Sequence, residues 1–219
     1  MFAKTLGIRP GVTAVIGGGG KTTLLRVLGE ELSRNASVLL CTTTKIYPFP
    51  GISTVYNKEE IRGFRGCLLC AGTPIEAGKL TAPSMSMSEL AEQFDYVLVE
   101  ADGSAGRPMK AHAPHEPVIP PEAAQTILVL GASGFGRPIS AAAHRPERYA
   151  ALAGANVSNP ITPVMAAKVL QGENLHTTLF INQIETPQAR ADATALAALV
   201  NGPVFRGSLQ KGEIFVCSL

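Results

Sequence analysis

The chain has 219 residues and a formal net charge of +2, too little for a nucleic-acid surface, and its Lys and Arg are scattered. Aromatics make up 5% of the residues and Trp is absent, so no stacking platform for single strands is expected. A hydrophobic content of 46% is ample for a packed core, and no apolar run reaches the ~18 residues that a membrane helix needs.

Met1-Phe2-Ala3-Lys4-Thr5 lacks the apolar stretch of a secretory leader. Four cysteines in a chain of this length do not make a disulfide framework. The expectation is one cytoplasmic domain over 1–219 with reduced thiols and no membrane or nucleic-acid partner.

The first element predicted is a strand, Val12-Thr13-Ala14-Val15-Ile16. It runs into Gly17-Gly18-Gly19-Gly20-Lys21-Thr22-Thr23 and then into a helix with Leu24, Leu25, Leu28 and Leu32 on one face. Strand, glycine turn, Gly-Lys-Thr and helix are the context of a phosphate-binding loop. Glycines let backbone N–H groups crowd a phosphate, and a helix start adds free N–H groups and a positive dipole end. In that reading Gly17–Gly20, Lys21, Thr22 and Thr23 bind the phosphates, Lys21 reaches the β/γ-phosphates and the Thr22 hydroxyl ligates Mg²⁺. The stretch departs from G-x-x-x-x-G-K-[ST], because Val15 stands where the first glycine belongs and the loop is shorter than usual. The plain alternative is a glycine-rich turn with an incidental lysine.

Ser37–Lys45 is predicted as a buried strand with a polar end, Thr42-Thr43-Thr44-Lys45. Ligands of parallel sheets gather beyond such ends, so Thr43 and Lys45 are candidate substrate or anion contacts, unless the threonines are only good strand formers. Asn57–Ile61 reads as a capped helix, Cys67–Ala71 as a short strand and Gly72–Leu80 as a turn or hairpin. The C-x-x-C of Cys67 and Cys70 reads as two small buried thiols, since no second pair accompanies it. Ser88–Phe94 is a helix.

Asp95-Tyr96-Val97-Leu98-Val99 is a strand ending in Glu100-Ala101-Asp102-Gly103. Carboxylates at such a strand end hold Mg²⁺ in nucleotide sites, so Glu100 and Asp102 are assigned to the metal and to catalysis alongside Lys21. The alternative is an Asp-Gly surface turn. A long polar loop, 104–121, follows. There Arg107 and Lys110 are candidate anion contacts, and His112, His115 and Glu116 a candidate metal or acid–base cluster, against the bland reading of solvated loop side chains.

Ala124–Gly131 is another buried strand with Ser133–Ile139 at its end. Helices opening at His144 and Ile161 read as an insertion over about 140–172. His176–Glu185 is a strand whose end, Asn182-Gln183-Ile184-Glu185, approximates the N-K-x-D base-reading motif, making Asn182 and Glu185 candidate base contacts. A helix, 188–200, and strands at 203–208 and 213–217 complete the chain. The pattern predicts an α/β class, a three-layer domain with a mostly parallel twisted sheet.

The blocks Gly17–Thr23, Thr42–Lys45, Glu100–Ser104, His115–Pro120, His144–Arg148 and Asn182-Gln183 resemble the YqeC-type accessory proteins of selenium-dependent molybdenum hydroxylases. Glu100–Ser104 and His115–Pro120 are the most specific, because general P-loop proteins lack them. The resemblance implies a P-loop NTPase-like fold and a role in maturing a selenium-dependent molybdenum hydroxylase or its cofactor. Together with the residues it points to an NTPase or phosphotransferase using Mg²⁺ with ATP or GTP. The competing reading is a nucleotide-gated chaperone with little turnover of its own.

Overall fold

In the computed structural model, which describes residues 1–218, the chain divides into two compact units. One comprises Met1–Val15, Thr22–Gly103 and Val118–Thr126; the other comprises Ile16–Lys21, Ser104–Pro117 and the chain from Ile127 onward.

The first unit is built on parallel strands in the order Gly11–Gly17 (by its residues 11–15), Tyr96–Glu100, Val38–Thr42, Leu68–Ala71 and Thr54–Val55. Val12 pairs with Val97, which also pairs with Leu39, and Leu39 with Leu69. Val38–Thr42 is buried at every position, which is why it reads as an unbroken apolar run rather than as an alternation. It stops at Thr42, short of the predicted Lys45. Leu24, Leu25 and Leu28 of the Lys21–Leu32 helix are fully buried and Leu32, on the same face in its last turn, is partly buried. Met87–Gln93 starts on a capping box, in which Ser86 and Glu89 satisfy each other's backbone N–H groups. Its Leu90, with Ile61 and Phe94, packs on Val12, Leu39, Leu69 and Val97 to form the core.

The second unit holds the later residues of Ala123–Gly131, then Thr178–Asn182 and Val204–Ser208, all parallel, and an antiparallel edge strand, Glu213–Ser218. Pro146–Ala153, Pro163–Glu173 and Pro187–Ala197 each begin on proline, whose missing N–H costs nothing in a first turn. Thr162 and Thr186 cap the last two by accepting from Met165 N and Ala189 N. The class is α/β with mostly parallel strands, as the order of runs predicted. Among the described residues no helix is long and apolar enough to cross a membrane.

Two expectations change. Cys70 is buried, but Cys67 is exposed, just ahead of the strand. The 104–121 stretch is solvated only in part: residues 105–107, Pro114 and His115 are exposed, but Met109–Lys110 pairs in parallel with Ala143–His144, and Met109, Lys110, Ala111, His112 and Ala113 are all buried.

Candidate functional site

The glycine loop begins where the Gly11–Gly17 strand ends and stops where the Lys21–Leu32 helix starts. Its conformation is tied to its surroundings by short contacts. A Cβ on Gly18 would stand 2.5 Å from Arg107 O and 2.7 Å from Pro108 O; one on Gly19 would stand 2.3 Å from Gly131 N, and Gly19 also has φ +69°. Close approach of other backbone therefore demands glycine here, whatever ligand the loop takes. Gly18 N donates to Val129 O at 2.9 Å and Gly19 N to Arg107 O at 3.3 Å. Lys21 Nζ curls back to donate to Gly17 O at 2.7 Å and is 4% exposed.

Asn182, at the end of its strand, braces the same loop. Its Nδ2 donates to Gly19 O at 2.7 Å while its Oδ1 accepts from Leu209 N at 3.0 Å. Glu185 accepts from the Ser208 hydroxyl at 2.5 Å, and Gln183, left-handed at φ +65°, accepts from Ser133 Oγ. Thus both candidate base contacts hold neighbouring structure, and the amide at 182 reaches the loop itself.

In the first unit, Thr22 follows Lys21 directly, and its hydroxyl donates to Glu100 Oε2 at 2.8 Å. Glu100 is buried at the carboxyl end of Tyr96–Glu100, and Asp102 is fully buried two residues on. The second polar strand end closes on the same place: Thr42 Oγ1 donates to Glu100 O at 2.7 Å and Thr43 N to Glu100 O at 3.1 Å. Thr44 N donates to Thr42 Oγ1, and Thr43 Oγ1 to Val118 O. Thr23 and Lys45 are exposed. A hydroxyl and a carboxylate side by side are hard oxygen donors of the kind Mg²⁺ takes, and Mg²⁺ needs only one or two protein carboxylates.

In the second unit, the 107–117 segment is a set of matched charges. Lys110 Nζ lies 3.2 Å from Glu116 Oε2, and Arg145 clasps the same carboxylate from Nη2 at 3.0 Å and Nε at 3.1 Å. Burial pushes the Glu116 carboxyl up, but the Lys110 charge and the hydrogen bonds from Arg145 and Lys110 outweigh it and hold it below the usual range. Glu173 accepts twice from His112, from its backbone N at 2.6 Å and at Nδ1 at 2.7 Å. The Arg107 guanidinium donates to Ala141 O. His115 is exposed, and among the described residues no group of three or more His, Cys, Asp or Glu side chains is placed to hold a metal. His112, His115 and Glu116 therefore form no metal cluster.

Arg145, Glu173 and Tyr149 are residues that sequence reasoning did not assign. Arg145 is left-handed at φ +61° immediately before Pro146, where a residue is ordinarily extended, so no sequence signal foretold it. Tyr149 lines a cavity of about 10 Å³, with Gly17, Gly18, Lys110 and His112. That volume suits a single water, and the Tyr149 hydroxyl is buried without a hydrogen-bond partner among the described residues. Burial, with Glu173 nearby, pushes its pKa up.

Residues 13–147 match a family model described as YqeC protein. The chain is also 32% identical over 161 residues to a protein of Escherichia coli (strain K12) described as an uncharacterized protein YqeC. That alignment takes in 67% of this chain and 62% of the relative, so the chain spans less than two thirds of that protein's length. The family match contains the glycine loop, Glu100, Asp102, Lys110, Glu116 and Arg145; Asn182 and Glu185 lie beyond it.

Proposed function

The chain belongs to the YqeC family, and from that premise we propose that it binds ATP or GTP with Mg²⁺ and serves, as an NTPase or phosphotransferase, in maturing a selenium-dependent molybdenum hydroxylase or its cofactor in the cytoplasm. The observation that carries this reading is the 2.8 Å hydrogen bond between Thr22 and Glu100. It joins the residue after the loop lysine to a buried carboxylate at a strand end, the pair that the sequence pattern nominates for Mg²⁺.

In this reading Thr22 and Glu100, with Asp102 close in the chain, hold Mg²⁺. Once bound, the ion supplies neutralisation of β- and γ-phosphate oxygens. The phosphates take N–H groups at the start of the helix, from Gly20 to Thr23, because Gly18 and Gly19 already donate elsewhere. Lys21 leaves Gly17 O to meet them. Asn182 keeps Gly19 in place, and Glu185 and Lys45 remain candidates for the base and for an anion.

The engaged N–H groups of Gly18 and Gly19 also favour a second reading, a nucleotide-gated chaperone with low turnover of its own. The test is calorimetric titration of ATP, GTP and CTP, with and without Mg²⁺, into wild type, Lys21→Ala and Glu100→Gln. The expected result is Mg²⁺-dependent binding that weakens about tenfold or more in Lys21→Ala, through loss of a charge-assisted contact, and loses its Mg²⁺ dependence in Glu100→Gln. Failure of the wild type to bind any nucleotide would overturn both readings; binding undiminished in Lys21→Ala would move the phosphates off this loop. Hydrolysis that rises only when an apo-hydroxylase is added would favour the chaperone.

A further inference from the structure

Beyond Thr44 the first unit carries a second, smaller ladder, of which only Lys45 figures in the reading above. Ile46 and Leu80 exchange both backbone hydrogen bonds, Ile46 N to Leu80 O at 3.0 Å and Leu80 N to Ile46 O at 2.8 Å, as an antiparallel bridge. Lys79–Thr81 pairs in turn with Thr73–Ile75, Ile75 facing Lys79. Ile46 and Leu80 are 5% and 2% exposed, so their side chains point into the core. Side chains alternate across a strand, so Lys45, Tyr47, Lys79 and Thr81 point the other way.

The register then fixes neighbours. Tyr47 stands opposite Lys79, whose Nζ lies 5.0 Å from the centre of its ring. Lys45 stands opposite Thr81 and diagonal to Lys79, a spacing of about 7–8 Å that long side chains bridge. Lys45, Lys79 and Thr81, with Ile75, Glu76 and Ala77, line a cavity of about 580 Å³, within the size range of small-molecule sites. Among the described residues neither lysine forms an ion pair. The turn at the rim of this open cavity holds Ala77 at φ +59°, a left-handed conformation that crowds a Cβ and that clusters at ligand clamps.

Two uncompensated cations on one face repel each other, and an anion between them removes that repulsion while taking a charge-assisted hydrogen bond from each. Tyr47 restrains one of them before any ligand arrives. Thr81 adds a hydroxyl donor, and the Glu76 carboxylate makes the turn end acidic. We propose that this cavity is an anion site: it binds a small organic polyanion, carrying phosphate or carboxylate groups, through Lys45 and Lys79. The site stands on the hairpin and the Ile46–Leu80 bridge and does not need the glycine loop to bind nucleotide.

The test is calorimetric titration of the full chain, without Mg²⁺, with pyrophosphate and with citrate as the two probes. At least one probe binds wild type and Lys21→Ala alike, and the Lys45→Ala/Lys79→Ala variant binds it about tenfold or more weakly, each lost contact being charge-assisted. A preference for pyrophosphate assigns phosphate, and one for citrate assigns carboxylate; either supports the site. Lys4→Ala/Lys211→Ala, which removes the same charge from exposed positions, binds as wild type does. The proposal fails if neither probe binds, if the two double variants behave alike, or if Lys21→Ala alone abolishes binding.

Discussion

Lysines in two segments of this chain meet opposite fates. Between Arg107 and Pro117, Lys110 has a side chain 1% exposed, and its ammonium sits 3.2 Å from Glu116, which Arg145 also clasps. In the hairpin Thr73–Thr81, Lys79 has an aromatic ring but no carboxylate, and Lys45 beside it is exposed and likewise has none among the described residues. Desolvation accounts for the difference. A buried ammonium without an anion costs more than a fold can offset, so the 107–117 segment brings its own acid. A lysine that keeps much of its hydration needs no internal partner, and its charge stays free for something outside the chain. The first arrangement holds structure together; the second leaves chemistry open.

Removing the acid from the closed arrangement is the largest perturbation. Glu116→Gln leaves Lys110 and Arg145 without their shared carboxylate and is expected to destabilise the protein by about 3 kcal/mol, the usual cost of breaking a buried pair from one side. Urea denaturation measures it. The same group sets a pH dependence. Its folded pKa is depressed, so its contribution is full above the ordinary value of 4.5 and is lost as pH falls through the lower folded value. The gap between wild type and Glu116→Gln therefore narrows below pH 4.5. A deficit near zero at pH 7, or one that widens in acid, would erase the contrast between the two segments.

Gly18→Ala comes next. The added Cβ meets two backbone carbonyl oxygens, Arg107 O at 2.5 Å and Pro108 O at 2.7 Å, and backbone cannot rotate aside as a side chain can. Overpacking of this kind costs about 1–3 kcal/mol. A neutral result would show that the segment behind the loop yields, and that packing does not explain the glycine at this position.

The features legible in the sequence were those written in local order. The glycine run between an apolar strand and a leucine-faced helix, the strand ending in Glu100 and Asp102, and the polar end at Thr42–Thr44 all stand where a single pass along the chain put them. What depended on distant partners was not legible. Lys110 read as an anion contact and His112 as part of a metal or acid–base cluster because their counter-charges are out of view: Glu173 lies 61 residues beyond His112, and Arg145 lies 29 residues beyond Glu116. Asn182 read as a base contact because its spacing to Glu185 was the only information at hand; spacing does not disclose that the amide turns back to Gly19. Cys67 and Cys70 read as a buried pair, but an odd offset puts two strand residues on opposite faces, and Cys67 precedes the strand altogether. The hairpin at 72–80 was visible, whereas the Ile46–Leu80 bridge that turns Lys45 toward Lys79 is a pairing between distant segments that no local pattern encodes.

The smallest expected effect is the sharpest discriminator. If Lys45 and Lys79 serve a ligand and not the fold, replacing either changes stability by no more than about 1 kcal/mol, the scale of surface positions and of an exposed cation–π contact. The two substitutions also differ in sign. Lys79→Ala gives up the contact with the Tyr47 ring, worth about 0.5–1 kcal/mol when exposed, while Lys45→Ala relieves a like-charge neighbour, worth a few tenths of a kcal/mol in the stabilising direction. Salt screens that repulsion, so the gain from Lys45→Ala shrinks between low and high ionic strength. Urea midpoints of both single variants at two salt concentrations resolve the pattern. A loss of about 2 kcal/mol or more in Lys45→Ala would place that lysine in the same class as Lys110, fixed by an internal contact, and the hairpin would then be a second closed arrangement rather than an open one.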